Sequence, residues 1–248
     1  MPAWPPTFDA RLARAQMLTP SVRELTFERV DGQPMAFAAG QFCNAILPLP
    51  HELEGSHIKR SYSLASAPAG TSGFEIAVTL VQGGRASNWM HALELGAVLP
   101  FTGPHGFFTR PIAGASPSLM IATGTGVTPI RSMVLDAVAA GSQAPMWIVL
   151  GVRHEEDLLY ERELRDLAER HPFVRFEPTL SQPRGAWPGR RGYVQTHVSA
   201  LWEELATRTE RPPHAYVCGL ERMVSSVRDL LRTQMSIPRA QVHSERYD

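Results

Sequence analysis

The stretch Thr123-Gly124-Thr125-Gly126-Val127-Thr128-Pro129 lies between a short apolar run, Leu119–Ala122, and a helical pattern that begins at Pro129. Two glycines permit a tight turn and close backbone approach, and a helix that starts just after them presents N–H groups to an anion. Pro129 suits a first helical turn, where its missing N–H costs nothing. Taken alone, a Gly-x-Gly loop is as readily a plain structural turn, and the third glycine of the dinucleotide fingerprint is replaced here by Pro129. The segments on the carboxyl side of the loop give it weight. Ile130, Met133, Val134, Ala137 and Val138 share one face of a helix that Gly141 ends. Met146–Leu150 reads as strand, Glu155–Arg170 as one charged amphipathic helix, and Phe173–Leu180 as strand. His197–Leu205 reads as helix, Ala215–Cys218 as strand, Glu221–Thr233 as helix and Gln241–Tyr247 as a short last strand. Alternation of this kind predicts a parallel sheet covered by helices on both faces.

Toward the amino terminus the pattern changes to short alternating runs broken by Gly and Pro. Val22–Glu28, Cys43–Leu49, Ser61–Leu64, Phe74–Val81 and Leu99–Thr102 read as strands. One helix, Ser87–Leu95, interrupts them, with Ser87 as its N-cap and Gly96 as its stop. The spacing predicts a small antiparallel β-barrel. The fold class is therefore two-domain, with residues 1–112 forming the barrel, residues 113–248 forming the α/β unit, and the boundary in Pro111–Ala115.

Composition narrows the possibilities. Of 248 residues, 44% are apolar, so a substantial core is available. Twenty-four basic residues balance 24 acidic ones, which gives no electrostatic case for nucleic acid or an anionic membrane. Lys59 is the only lysine, so the positive charge is almost all carried by arginine forks suited to phosphates. The two cysteines, Cys43 and Cys218, cannot supply a four-cysteine iron–sulfur cluster. The nine histidines are scattered, and no metal site is expected. Residues 1–15 lack the apolar core of a signal peptide, and no run approaches the roughly 18 apolar residues of a membrane span. A cytoplasmic protein is expected.

Ligands of open parallel sheets sit at the carboxyl ends of the strands. There the chain places Gly151-Val152-Arg153, then Ser181, Arg184, Arg190 and Arg191, then Cys218-Gly219. A single surface arginine is more often just solvated, and a lone cysteine is usually a small buried residue. In the barrel half, Arg60-Ser61-Tyr62-Ser63-Leu64-Ala65-Ser66-Ala67-Pro68 would, if extended, put Arg60, Tyr62 and Leu64 on one face and Ser61 and Ser63 on the other. A fork, a flat ring and a small hydroxyl are the set a flavin dinucleotide needs, although the same segment also reads as an ordinary strand.

Together these segments resemble the ferredoxin–NADP reductase family of flavoproteins, from Gly40-Gln41-Phe42 to the carboxyl terminus. Arg60-Ser61-Tyr62-Ser63 is similar to the family's flavin motif, and Gly103-Pro104-His105-Gly106-Phe107-Phe108 to its hinge segment. Gly124–Pro129 is similar to its nicotinamide loop, Cys218-Gly219 with Met223 to its second nicotinamide motif, and Glu245-Arg246-Tyr247 to its C-terminal Glu-x-Tyr. The resemblance implies FAD as cofactor and NADP or NAD as dinucleotide. Arg60 would pair with the flavin pyrophosphate, Tyr62 would stack on the isoalloxazine and Ser63 would bond near N5, with Leu64 adjoining. Gly84, Arg85 and Ser87 would meet the FAD phosphates. Tyr247 would cover the other flavin face, and Cys218 and Glu245 would line the hydride-transfer site. Thr125, Gly126 and Arg153, with Ser181, Arg184, Arg190, Gly219 and Met223, would hold the nicotinamide dinucleotide.

The chain also departs from the family pattern. It has Ser181-Gln182 where NADPH-type bacterial relatives tend to have Ser-Arg, lacks the proline of the Cys-Gly-x-Pro-x-Met pattern, and ends in Asp248 where an aromatic can stand. Gly189-Arg190 is kept and no acidic residue lies between Pro178 and Gly192, so NADPH is the favoured dinucleotide. The implied activity is hydride transfer from NAD(P)H to FAD and release of single electrons to a separate carrier such as ferredoxin or flavodoxin, by a monomer. The alternatives are an NADH-dependent reductase component of an oxygenase system and a degenerate flavin-binding module that senses redox state.

Overall fold

The computed structural model describes residues 7–48, 57–113 and 115–247. Leu49, Gly114 and Asp248 lie outside the described residues. The chain divides into two compact units, one of Met1–Thr109 with Arg131–Asp136, the other of Arg110–Ile130 with Ala137–Asp248.

In the first unit six strands form one antiparallel sheet: β1 (Thr7–Thr19), β2 (Val22–Arg29), β3 (Phe42–Pro48), β4 (His57–Ser63), β5 (Gly73–Thr79) and β6 (Val98–His105). Their order is β4-β3-β6-β1-β2-β5. Beyond β4 the Ala65 N–H donates to the Glu75 carbonyl of β5 at 2.7 Å, so the two edges of the sheet meet, as the expected barrel requires. Inward-facing residues alternate along β1, where Phe8, Ala10 and Leu12 are buried. Register shifts after Leu12 and Met17 mark bulges. Four rings fill the core. Phe27, Phe74 and Phe101 are essentially inaccessible, and with Phe8 they sit at centroid distances from 5.0 to 6.1 Å, edge-on or stacked. Truncating one of them to alanine would cost about 3–5 kcal/mol. Arg131 belongs to this unit and donates to Glu75 at 2.7 Å and to the Ala65 carbonyl at 2.9 Å, while the Ser132 hydroxyl donates to the Ser66 carbonyl at 2.6 Å.

The helix of this unit, α1 (Arg85–His91), departs from the expected one. Gly84 is its N-cap, not Ser87. The Ser87 hydroxyl lies inside the first turn, where it accepts the Val81 N–H and donates to the Gly84 carbonyl, both at 3.1 Å. The helix ends at His91 rather than Leu95, where Arg23 caps it by donating to the Met90 and His91 carbonyls and to the Leu93 carbonyl just beyond.

In the second unit the strands are β7 (Ser118–Thr123), β8 (Met146–Val152), β9 (Val174–Leu180), β10 (Arg190–Arg191), β11 (His214–Leu220) and β12 (Val242–Tyr247). All neighbours are parallel, in the order β10-β9-β8-β7-β11-β12. The chain starts in the middle, steps outward to β10, then crosses to the other side of β7. Chain direction across the sheet therefore reverses between β7 and β11. The helices are α2 (Val127–Ala139), α3 (Glu161–Arg170), α4 (Gln195–Thr207) and α5 (Glu221–Asp229). Leu119, Ile121, Trp147, Val149, Ala215 and Val217 share a cluster with Val198, Leu201, Trp202 and Leu205 of α4 and Val224 and Val227 of α5.

The single helix expected over 155–170 is two elements. A 3₁₀ turn, Glu155–Asp157, is closed by the His154 N–H on the Asp157 carboxylate at 3.1 Å, and Tyr160 adopts φ 54 before α3 starts. Helix α5 likewise stops at Asp229 and continues as a π turn, Leu230–Gln234.

At the amino ends of β11 and β12, His214 and His243 share a hydrogen bond of 3.0 Å between Nδ1 and Nε2, and Tyr216 stacks on the His243 ring at 4.7 Å. Desolvation lowers the pKa of both, with Arg110 adding to it at His214 and His214 at His243. A histidine whose folded pKa is depressed favours folding above its unfolded value and loses that contribution as pH falls. Thermal unfolding should therefore move to lower temperature, by a few degrees, between about pH 7.5 and about pH 5.5. In His243→Gln the dependence should be flatter, and a dependence as steep as the parent's would contradict this origin.

Candidate functional site

The loop after β7 is a 3₁₀ turn, Gly124–Gly126, that runs directly into α2, so the helix begins at Val127 rather than at Pro129. Gly124 takes φ +52, and a Cβ added there would meet nothing within 4 Å. Gly126 is different. Its Cβ would stand 2.2 Å from the Cys218 carbonyl oxygen and 2.8 Å from the Gly219 Cα. Both distances are impossible for real atoms, so only glycine lets the loop lie against the end of β11. Gly219 completes the shelf at φ +146, where a Cβ would be 2.4 Å from the Thr123 hydroxyl and 3.0 Å from the Met223 methyl. The Thr123 Oγ1 is buried and has no hydrogen-bond partner among the described residues. An orphaned hydroxyl beside two glycines that no side chain can replace fits a ligand that approaches the backbone closely and brings its own polar groups. The shelf sits at the switch between β7 and β11, where ligands of open α/β sheets bind.

Three residues expected to line the chemistry meet here. Cys218 pairs with Glu245, and Leu220 with Tyr247, between β11 and β12. The Tyr247 hydroxyl lies 3.4 Å from the Thr128 hydroxyl and bonds the Cys218 thiol. Thr128 in turn donates to the Thr125 carbonyl at 2.8 Å, which ties Tyr247 to the loop. Cys218 is fully buried. Burial pushes its thiol far up and the Glu245 carboxylate adds to this, outweighing the Tyr247 bond. The sulfur is therefore a neutral thiol near neutrality, a small packing group with one weak donor and no nucleophile.

The neighbouring strand ends are cross-linked by backbone. The Ser181 N–H donates to Val152 at 3.0 Å and the Gln182 N–H to Arg153 at 2.9 Å. Arg153 itself is exposed, and its guanidinium makes no hydrogen bond among the described residues. Arg184 is engaged with the turn after β8, through its N–H to Glu155 at 3.1 Å and its side chain to Glu156 at 3.0 Å. Arg190 is not a loop residue. It pairs with Thr179 in β10, and the Trp187 indole N–H holds its carbonyl at 2.9 Å. Its Nε donates to Glu177 at 2.8 Å.

Two residues of this region escape the sequence patterns. Thr123 is a hydroxyl at a strand end, a position that is itself a signal. Glu177 alternates with Arg175 and Thr179 on β9, and only that period-two placement hints that it faces Arg190.

In the first unit, β4 pairs with β3 so that Ala45 opposes Arg60, Cys43 opposes Tyr62 and Phe42 opposes Ser63. Arg60 is exposed, and among the described residues its guanidinium donates only to the Lys59 carbonyl, at 2.9 Å. Tyr62 is half-buried against the core, and burial pushes its phenol up to about 12 with a small offset from Arg60, so it stays neutral. Ser63 is buried. Leu64 requires a correction: its side chain is fully buried in the core and its N–H is taken by the Gln41 carbonyl at 2.9 Å, so it braces the strand and presents no side chain to a ligand. At the start of α1 a Cβ on Gly84 would fall 2.7 Å from the Ser87 hydroxyl and 2.9 Å from the Val81 Cβ, so this tight turn also demands glycine. Arg85 is exposed beside it. An exposed fork, a half-buried neutral ring and a glycine turn suit a ligand with a pyrophosphate and a flat ring.

Comparison with known proteins agrees with this geometry. A family model described as an oxidoreductase FAD-binding domain matches residues 9–109, and one described as an oxidoreductase NAD-binding domain matches residues 120–229. The chain is 52% identical over 242 residues to the ferredoxin–NADP reductase B of Sorangium cellulosum, covering 97% of this chain and 98% of that one. It is 28% identical over 244 residues to the phenol hydroxylase P5 protein of Acinetobacter pittii, of which it spans 65%. Among solved structures, the Amycolatopsis cytochrome P450 reductase GcoB superposes with a TM-score of 0.81 at 27% identity, over 98% of this chain and 71% of that one. With its antiparallel FAD-binding sheet and parallel NAD-binding sheet, the chain belongs to the ferredoxin–NADP reductase family of flavoprotein oxidoreductases.

Proposed function

We propose that this chain oxidises NADPH, in preference to NADH, and delivers single electrons to a separate protein carrier such as ferredoxin or flavodoxin. One observation carries this reading: the relative named as a ferredoxin–NADP reductase is 52% identical over 242 residues, whereas the phenol hydroxylase protein is 28% identical over 244. Both cysteines of these 248 residues are buried and free, so no iron–sulfur cluster of four cysteines is built from them. An oxygenase-reductase role is the second reading, favoured by the likeness to the phenol hydroxylase protein. We take the protein to be cytoplasmic and monomeric, with residues 1–112 holding FAD and residues 113–248 holding the dinucleotide.

FAD, when bound, supplies the two-electron to one-electron conversion. The chain's own residues bind and orient. Arg60 and Arg85 carry the positive charge for the FAD pyrophosphate, with the Gly84 turn giving close backbone access. Tyr62 offers its neutral ring as a stacking surface, and Ser63 a small buried hydroxyl. On the other unit, Gly126 and Gly219 let the dinucleotide lie on the backbone, and the Thr123 hydroxyl offers it an unsatisfied hydrogen bond. Thr125 and Arg153 flank that shelf, with Ser181, Arg184 and Arg190 further along the strand ends and Met223 packed beneath Gly219. Cys218 and Tyr247 are bonded beside the shelf, with Glu245 opposite Cys218 in the ladder, and the buried neutral thiol excludes water without competing for a proton.

Rapid mixing of the NADPH-reduced protein with ferredoxin and with flavodoxin should show oxidation far faster than by dissolved oxygen; no acceptor outpacing oxygen would defeat the proposal. Arg60→Ala should weaken FAD binding by about tenfold, the scale of a lost charge-assisted pair, and leave the NADPH/NADH ratio nearly unchanged. Equal FAD content in purified variant and parent would remove Arg60 from the flavin site.

A further inference from the structure

Arg190 is held from one side by a chain of charges that runs away from the ligand edge of the sheet. Its Nε donates to Glu177 at 2.8 Å, and the other carboxylate oxygen of Glu177 accepts from Arg175. Arg175 also donates to Glu204 at 2.9 Å and lies over the Trp147 ring at 4.5 Å, and Glu204 accepts from Arg208 at 2.7 Å. Arg175 thus has a second carboxylate and an aromatic face, while Glu177 is the one acid that Arg190 pairs with among the described residues. The remaining guanidinium nitrogens of Arg190 make no hydrogen bond among those residues. Burial favours the neutral form of Glu177, but the two arginine bonds outweigh it and its pKa is lowered, so the carboxylate is charged at neutral pH.

The direction of this pull matters. Arg190 pairs with Thr179, and Glu177 stands two residues nearer the amino end of β9 on the same face. Ligands bind at the carboxyl ends. Glu177 therefore draws the guanidinium back toward the middle of the sheet, and its charge opposes any phosphate that Arg190 would receive.

We infer that Glu177 is a specificity-determining positioning residue: as the internal counter-ion of Arg190 it restrains the preference for the 2′-phosphorylated dinucleotide. This rests on the proposed preference for NADPH, with Arg190 taken as the residue that receives its 2′-phosphate. A phosphate must share or displace Glu177 to gain Arg190, whereas a dinucleotide without that phosphate meets no such competition. NADPH is therefore recognised below the strength that the arginine alone would give, and NADH remains usable.

The test is kcat/KM for NADPH and for NADH with the FAD-loaded parent, Glu177→Gln, Arg190→Ala and the double variant. Glutamine keeps the shape and one acceptor oxygen while removing the charge, and Arg175 keeps Glu204. Glu177→Gln should raise the NADPH/NADH ratio about three- to fivefold, the size of one partly exposed charge–charge interaction, mainly through KM for NADPH. In the Arg190→Ala background the same change should have no effect on the ratio. An unchanged or lowered ratio in Glu177→Gln, or an equal rise without Arg190, overturns the inference. Arg190→Ala alone separates the two levels. A ratio it leaves untouched removes Arg190 as the phosphate residue and the inference with it, and a ratio it lowers confines any failure to Glu177. If Glu177→Gln folds poorly, Glu177→Thr, neutral and favoured in strands, should give the same rise, and its failure to do so is equally decisive.

Discussion

The backbone of Gly126 pressed against the carbonyl of Cys218 is the contact on which the nucleotide-binding half depends. It exists because β7 and β11 are parallel neighbours although the chain visits β8, β9 and β10 between them. That reversal opens the end of the sheet, and the loop after β7 settles into the opening. A Cβ at residue 126 would push the loop away from β11, since it would have to occupy space 2.2 Å from a carbonyl oxygen. Gly219 answers from the other side with a φ of +146 and no room for a side chain over Thr123. Between them, two glycines from separate strand ends make one backbone shelf, with the orphaned Thr123 hydroxyl beside it.

Around this shelf the titratable groups are kept quiet. The Cys218 thiol is buried and neutral, and Tyr247 holds both it and Thr128. Charge is kept further out, on Arg153 and on Arg190, and each is managed differently. Arg153 is left without a partner among the described residues, and Arg190 is tied to Glu177. In the first unit the arrangement is similar in kind: the aromatic quartet and Leu64 form a rigid interior, and β4 carries Arg60 exposed beside a half-buried neutral Tyr62. In both units polar groups for ligands rest on strands whose other residues are fixed by packing, which is what positioning needs.

The parts legible in the sequence are those whose cause is local. Buried parallel strands read as continuous apolar runs, and β7 and β8 are such runs. Gly-x-Gly with a following helix needs no distant partner to be recognised. Strand β1 is only weakly legible: Phe8, Ala10 and Leu12 alternate with charged residues in the period of a strand, but alanine has little strand preference of its own. Pairing with β2 and β6 makes it a strand. The end of α1 is capped by Arg23, more than 60 residues earlier in the chain, and the break before α3 is set by a single carboxylate cap at Asp157. Within the candidate site, Cys218, Glu245 and Tyr247 stand out as motif residues, but their mutual contact needs the β11–β12 register. Glu177 does not stand out at all. Its role appears only once β10 lies beside β9 and Arg190 reaches it.

If the glycine shelf, and no other feature of the second unit, admits the dinucleotide, then filling it must slow flavin reduction. Anaerobic titration of FAD-loaded Gly126→Ala with NADPH, followed by the visible flavin absorbance, tests this most directly. The expected result is a yellow protein with parental FAD content whose absorbance NADPH bleaches far more slowly than the parent's. Bleaching at the parent's rate and stoichiometry would contradict it.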